Sequence, residues 1–388
     1  MGNKSERKLR VASPSEIDFP KCEKNHTVNI QVKNVINEAR AKTYNFHLES
    51  LFLLKSGNIL ASIDFIDEKL CTIKSDIIIF NIPDLKIQSR YTFPNDWEDE
   101  NELYRLSNAI QLKNGNILAV RDKFYEFDGE SIKSGPKRES GELKYDNKNF
   151  EEIEFEDPLS IKKKIIMKKV NRFAYKYMFE VFDGKIFCFQ KEGHLIFGLD
   201  SEKLDENLKT LLEDEYHLNI IFQSEYYPEH LYIVKNRSDL NGFGTELDIY
   251  DIKEFCNGKK KECLISNFKI YESIIYGCCE YDKKYILFDT LYEGIYIFDI
   301  ETKTKVAVSN MIEKGATSYK NYGYGKMIKL EDGQLIRWYQ RMTVLDIVEG
   351  KENSHYMVDA TEFFVKTDKY IIVAYSNSII AVVQIYAD

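Results

Sequence analysis

The residue types that usually carry catalysis or hold metals are thinly spread over this chain of 388 residues. Its six histidines (His26, His47, His194, His217, His230 and His355) are scattered, with no H-x-x-x-H pair and no Cys/His cluster at metal spacing. No G-x-S-x-G elbow, P-loop or G-x-G-x-x-G cradle occurs, and Gly242-Phe243-Gly244 is a lone loop pair. Acidic pairs abound in so acidic a chain, and none stands out as a general acid or base. No catalytic residue, cofactor or metal is therefore expected, and the chain reads as a non-catalytic protein.

The seven cysteines (Cys22, Cys71, Cys188, Cys256, Cys263, Cys278 and Cys279) form no C-x-x-C pair. Cys188, Cys278 and Cys279 fall in apolar strand-like runs, where a free thiol behaves as a small hydrophobe. The vicinal pair Cys278-Cys279 would point to opposite faces of a strand, which disfavours a bond between them.

Any binding surface must then be built by the elements, and these are legible in one stretch. Gln111 to Asp128, QLKNGNILAVRDKFYEFD, breaks into an apolar run ending at Leu112, a Lys-Asn-Gly turn, a strand from Asn116 to Arg121, the turn Asp122-Lys123, and a strand closing on Phe127-Asp128. This is a β-meander. Related units begin at Leu51 and centre further on at Asp183-Gly184-Lys185, Glu229-His230, Lys283-Lys284, Asp332-Gly333-Gln334 and Asp368-Lys369. Aligned on the turn, the strands that follow read ILASI, ILAVR, IFCFQ, LYIVK, YILFD, LIRWY and YIIVA. A strand apolar at consecutive positions is covered on both faces, so units of this kind must stack on one another.

In most units the next strand closes on an apolar or aromatic residue followed by Asp: Phe127-Asp128, Leu199-Asp200, Tyr250-Asp251, Phe298-Asp299 and Leu345-Asp346, with Phe80-Asn81 as a variant. Together with the Asp-Gly turns, this resembles the WD40-like β-propellers over roughly residues 49 to 388. The resemblance implies an all-β, seven-bladed β-propeller of four-stranded blades that presents a rigid surface to a protein or peptide partner. The last unit supplies three strands, and the alternating HTVNIQVK of His26 to Lys33 is expected to complete it as an outer strand, closing the ring and covering an open edge.

The remaining segments are irregular. Residues 1 to 25 carry Lys4, Arg7, Lys8 and Arg10 without periodicity and read as a disordered tail ahead of a single propeller domain over 26 to 388. An insertion is expected around residues 134 to 175, an acidic half followed by the basic run Ile161 to Lys176, the two facing each other in solvent. Leu204, Leu208, Leu211 and Leu212 stand at helical spacing and predict a short helix on a blade edge.

The net charge of −9 and a pI near 5.5 give no overall basic field, so nucleic acid is not an expected partner. No apolar run reaches the roughly 18 residues that span a bilayer, and the expectation is a monomeric, cytoplasmic protein. The alternative is a peripheral membrane protein held by myristoylation of Gly2 plus the basic tail, since Met1-Gly2-Asn3-Lys4-Ser5-Glu6 resembles an acylation signal, with Glu6 where the usual pattern has Ser or Thr. A propeller enzyme with a site in the central channel is the third reading. In a propeller the polar residues that end the aligned strands gather at one face of the disc. The expected binding residues are therefore Arg121, Tyr339 and Arg341, with Arg337, Lys235 and Asp289 beside them.

Overall fold

A computed structural model of the chain describes residues 11–12, 26–31, 45–67, 72–82, 87–93, 108–120, 124–127, 161–165, 177–181, 184–189, 195–200, 209–214, 217–239, 242–258, 262–271, 275–290, 294–307, 326–330, 333–338, 342–347, 351–356, 364–366, 370–375 and 379–387. The described strands pair into seven small sheets in a propeller-like arrangement. Sheet 1 holds β3 (Asn45–Leu53), β4 (Ile59–Asp67), β5 (Thr72–Phe80) and β6 (Ile87–Thr92), and sheet 2 holds β7 (Asn108–Gln111), β8 (Ile117–Val120), β9 (Phe124–Phe127) and β10 (Ile161–Ile165). Sheet 3 follows with β11 (Tyr177–Glu180), β12 (Lys185–Phe189), β13 (Leu195–Asp200) and β14 (Lys209–Glu213). Sheet 4 is β15 (His217–Gln223), β16 (His230–Asp239), β17 (Gly242–Asp251) and β18 (Leu264–Tyr271). Sheet 5 is β19 (Ile275–Glu280), β20 (Tyr285–Thr290), β21 (Gly294–Asp299) and β22 (Thr304–Ala307), with β1 (Val11–Ala12) added parallel to β22. Sheet 6 is β23 (Lys326–Lys329), β24 (Leu335–Trp338), β25 (Met342–Asp346) and β26 (Lys351–Tyr356). Sheet 7 is β27 (Phe364–Lys366), β28 (Tyr370–Tyr375) and β29 (Ile379–Ala387), and β2 (His26–Gln31) pairs antiparallel with β29 at its outer edge.

In sheets 1, 2 and 6 the hairpin turn that joins the first two strands is set by glycine. In sheet 2 the Leu112 N–H donates to the Asn116 carbonyl at 2.8 Å and the Gly115 N–H to the Leu112 carbonyl at 2.9 Å. Gly115 sits at φ +92°, a left-handed conformation that side-chain-bearing residues adopt only with strain. Leu54, Gly57 and Asn58 repeat this pattern in sheet 1, and Leu330, Gly333 and Gln334 repeat it in sheet 6. The aspartate that closes the third strand also forms a turn. Asp299 Oδ1 accepts the N–H groups of Glu301 and Thr302, both at 2.9 Å, and Asp251 Oδ1 accepts from Glu254 to cap the short helix α1 (Ile252–Cys256).

The second strands are buried on both faces, as their unbroken apolar runs require: every residue of β8 and of β20 is inaccessible to solvent or nearly so. Inner strands lie side by side, β3 with β7, β7 with β11, β15 with β19, and β19 with β23, while β27 lies beside β3. Side-chain packing is described for five interfaces between consecutive sheets, from sheet 1 on sheet 2 to sheet 5 on sheet 6. That corrects the expectation of seven packed blades to five described blade-to-blade cores, because the side chains of sheet 7 fall outside the described residues.

Two local expectations are also corrected. The leucines at helical spacing do not form a helix over Leu211 and Leu212, since Lys209–Glu213 is the strand β14. Pairing of β13 with β14 shifts register between Ile196 and Phe197, so Leu211 is the extra residue and both leucines enter one core. Gly198 makes room for this, because a Cβ there would lie 2.6 Å from Leu211 Cδ1. Leu204 and Leu208 lie outside the described residues. Within the expected insertion, Ile161–Ile165 is β10, the outer strand of sheet 2, paired antiparallel with β9.

Candidate functional site

The polar residues that end the aligned second strands are, where described, buried between sheets. Lys235 lies on β16 directly opposite Glu246 of β17, on the face of sheet 4 that packs against sheet 3. Its Nζ is 2.7 Å from Asp248 Oδ2, 3.0 Å from Asp214 Oδ2 and 3.7 Å from Glu246 Oε2, with the lysine side chain only 6% exposed. Asp214 follows β14 of sheet 3, so the ammonium ties two sheets together. Tyr250 donates to Asp248 Oδ2 at 2.9 Å and Asn267 Nδ2 to Asp248 Oδ1 at 2.5 Å. Burial alone would lower the lysine pKa, but hydrogen bonds and attraction from Asp248 and Asp214 outweigh it and hold the group above its ordinary value. Burial, and next the charge of Asp248, push the Tyr250 phenol well up, so it stays a proton donor.

Asp289 and Arg337 make the corresponding bridge between sheets 5 and 6. Arg337 Nε donates to Asp289 Oδ2 and its terminal nitrogen to Oδ1, both at 2.7 Å, a two-pronged match of guanidinium fork to carboxylate. Asp289 is fully buried and Arg337 is 8% exposed. In sheet 1 the buried Asp64 accepts from Ser75 Oγ at 2.5 Å, Ser50 Oγ donates to Ser62 Oγ, and Ser50 Oγ in turn accepts the Ala109 N–H of sheet 2 at 3.0 Å. Arg90 and Asp76 pair on the opposite face of the same sheet.

The structure thus brings Arg337 together with Asp289 and places Lys235 in a separate cluster. Arg121, Tyr339, Arg341 and Gly2 lie outside the described residues. The partners Asp214, Asp248 and Tyr250 were not singled out by sequence reasoning. A signal existed for two of them: Glu246, Asp248 and Tyr250 alternate along β17 and put three polar groups on one face of an otherwise apolar strand.

The opposite end of the second strands carries a different kind of link, made by the first hairpin turns. Lys55 Nζ reaches the Lys113 carbonyl at 2.5 Å, Lys113 Nζ reaches the Val181 carbonyl at 2.5 Å, and Lys329 Nζ reaches the Tyr281 carbonyl at 2.5 Å. Between sheets 4 and 5, Ser224 Oγ and the Glu225 N–H donate to the two oxygens of Glu280 at 2.5 and 2.8 Å, and Tyr226 OH donates to the Tyr281 carbonyl. Burial raises the Glu280 pKa above its ordinary value, while the bonds from Ser224 and Glu225 act against the rise. Tyr227 stacks on His230 with ring centroids 5.2 Å apart.

Among the described residues no group of three or more His, Cys, Asp or Glu side chains is arranged to hold a metal ion. Cys188, Cys256, Cys263, Cys278 and Cys279 are free thiols, and burial pushes the Cys188 thiol up, away from reactivity. No described helix is long and apolar enough to cross a membrane. No protein-family model matches the chain, and no curated protein matches it.

Proposed function

We infer that the chain is a non-catalytic propeller scaffold of WD40-like design that works in the cytoplasm and presents a rigid rim to a protein or peptide partner. The observation that carries the reading is the use made of Lys235, Asp289 and Arg337: their charges are locked in ion pairs between sheets. Charges held this way stiffen a disc, and these three groups are committed to partners in neighbouring sheets and not to a bound molecule. In the sequence Arg121 directly follows β8, and Tyr339 and Arg341 lie between β24 and β25; these residue types combine large contact area with directional hydrogen bonds. These three are the proposed contacts to the partner.

The test is affinity purification of the full chain with identification of co-purifying proteins, run beside a variant carrying Arg121→Ala, Tyr339→Ala and Arg341→Ala. The reading predicts loss of the principal partner with Tm within a few degrees of the unaltered protein. Capture that survives the triple substitution, but is abolished by substitutions in Asp96 to Glu102, places the binding face elsewhere.

A further inference from the structure

We draw no further inference here: the strongest candidate, the surface patch that Glu225, Tyr226 and Glu229 of the first hairpin turn of sheet 4 make beside Glu280 of sheet 5, is a cluster of acidic residues whose hydrogen bonds join the two sheets, and nothing in the structure points to a ligand for it.

Discussion

Two buried cations each fasten one sheet to its neighbour, and they do it by opposite means. Arg337 grips Asp289 with two prongs of the guanidinium, one on each oxygen of the carboxylate. Lys235 is a point charge shared by three carboxylates, Asp214, Glu246 and Asp248, which come from both sheets it joins. The first bridge is specific in geometry and matches one positive charge to one carboxylate. The second tolerates displacement and gathers an excess of negative charge, which the ammonium and the donors Tyr250 and Asn267 help to restrain. The fork fixes its partner by geometry, whereas the shared lysine gathers three carboxylates by charge.

The largest expected effect follows from removing the shared cation. Lys235→Met leaves three carboxylates facing one another in a buried site and is expected to cost about 3–5 kcal/mol of stability by chemical denaturation at neutral pH. Part of that loss should return as pH falls into the carboxylate range, because protonation relieves the repulsion. In the unaltered protein the raised lysine value places its contribution fully on the folded side below pH 10.5, and it is lost only as pH rises through the raised value. Arg337→Lys sharpens the contrast from the other side. It keeps the charge but loses the fork, and a loss of about 2 kcal/mol is expected from the second charge-assisted bond and the altered packing.

Smaller effects test the packing around these bridges. Gly198→Ala drives a methyl against Leu211 in the core between sheets 3 and 4, and about 1–2 kcal/mol of destabilisation is expected. Glu280→Gln should change neutral-pH stability by less than about 1 kcal/mol. Its signature is in the pH profile. A carboxyl held above its ordinary 4.5 gives the folded state the greater proton affinity, so stability falls as pH climbs just above that value. The glutamine variant should show no such slope, which denaturation midpoints measured across that range will read.

Much of the fold is legible in the sequence because strand burial leaves a direct mark. Consecutive apolar positions in ILAV and YILFD announce strands covered on both faces, and glycine after Lys-Asn announces the left-handed turn at Gly115. The pairing of β2 with β29 is foreshadowed by a last unit one strand short and by the alternation in HTVNIQ. What stays hidden is what depends on a neighbouring chain segment. The bulge at Leu211 mimics helical spacing, and it is the register shift, with room made by the absent Cβ of Gly198, that turns two adjacent leucines into one core. Lysines in β10 suggest a solvated run, yet strand pairing needs only their backbones. The strand-end charges are visible as types, but whether Lys235 faces water or Asp214 is decided by the sheet packed against it.

A double-mutant cycle on Asp289 and Arg337 tests most directly whether strand-end charges clamp the sheets. Asp289→Leu, Arg337→Leu and the double variant would be compared by denaturant unfolding. The clamp predicts that each single substitution costs about 3–5 kcal/mol by stranding its partner, that the double variant is markedly less impaired than the sum, and that the coupling exceeds about 2 kcal/mol. Single costs that simply add, to within about 0.5 kcal/mol, contradict it.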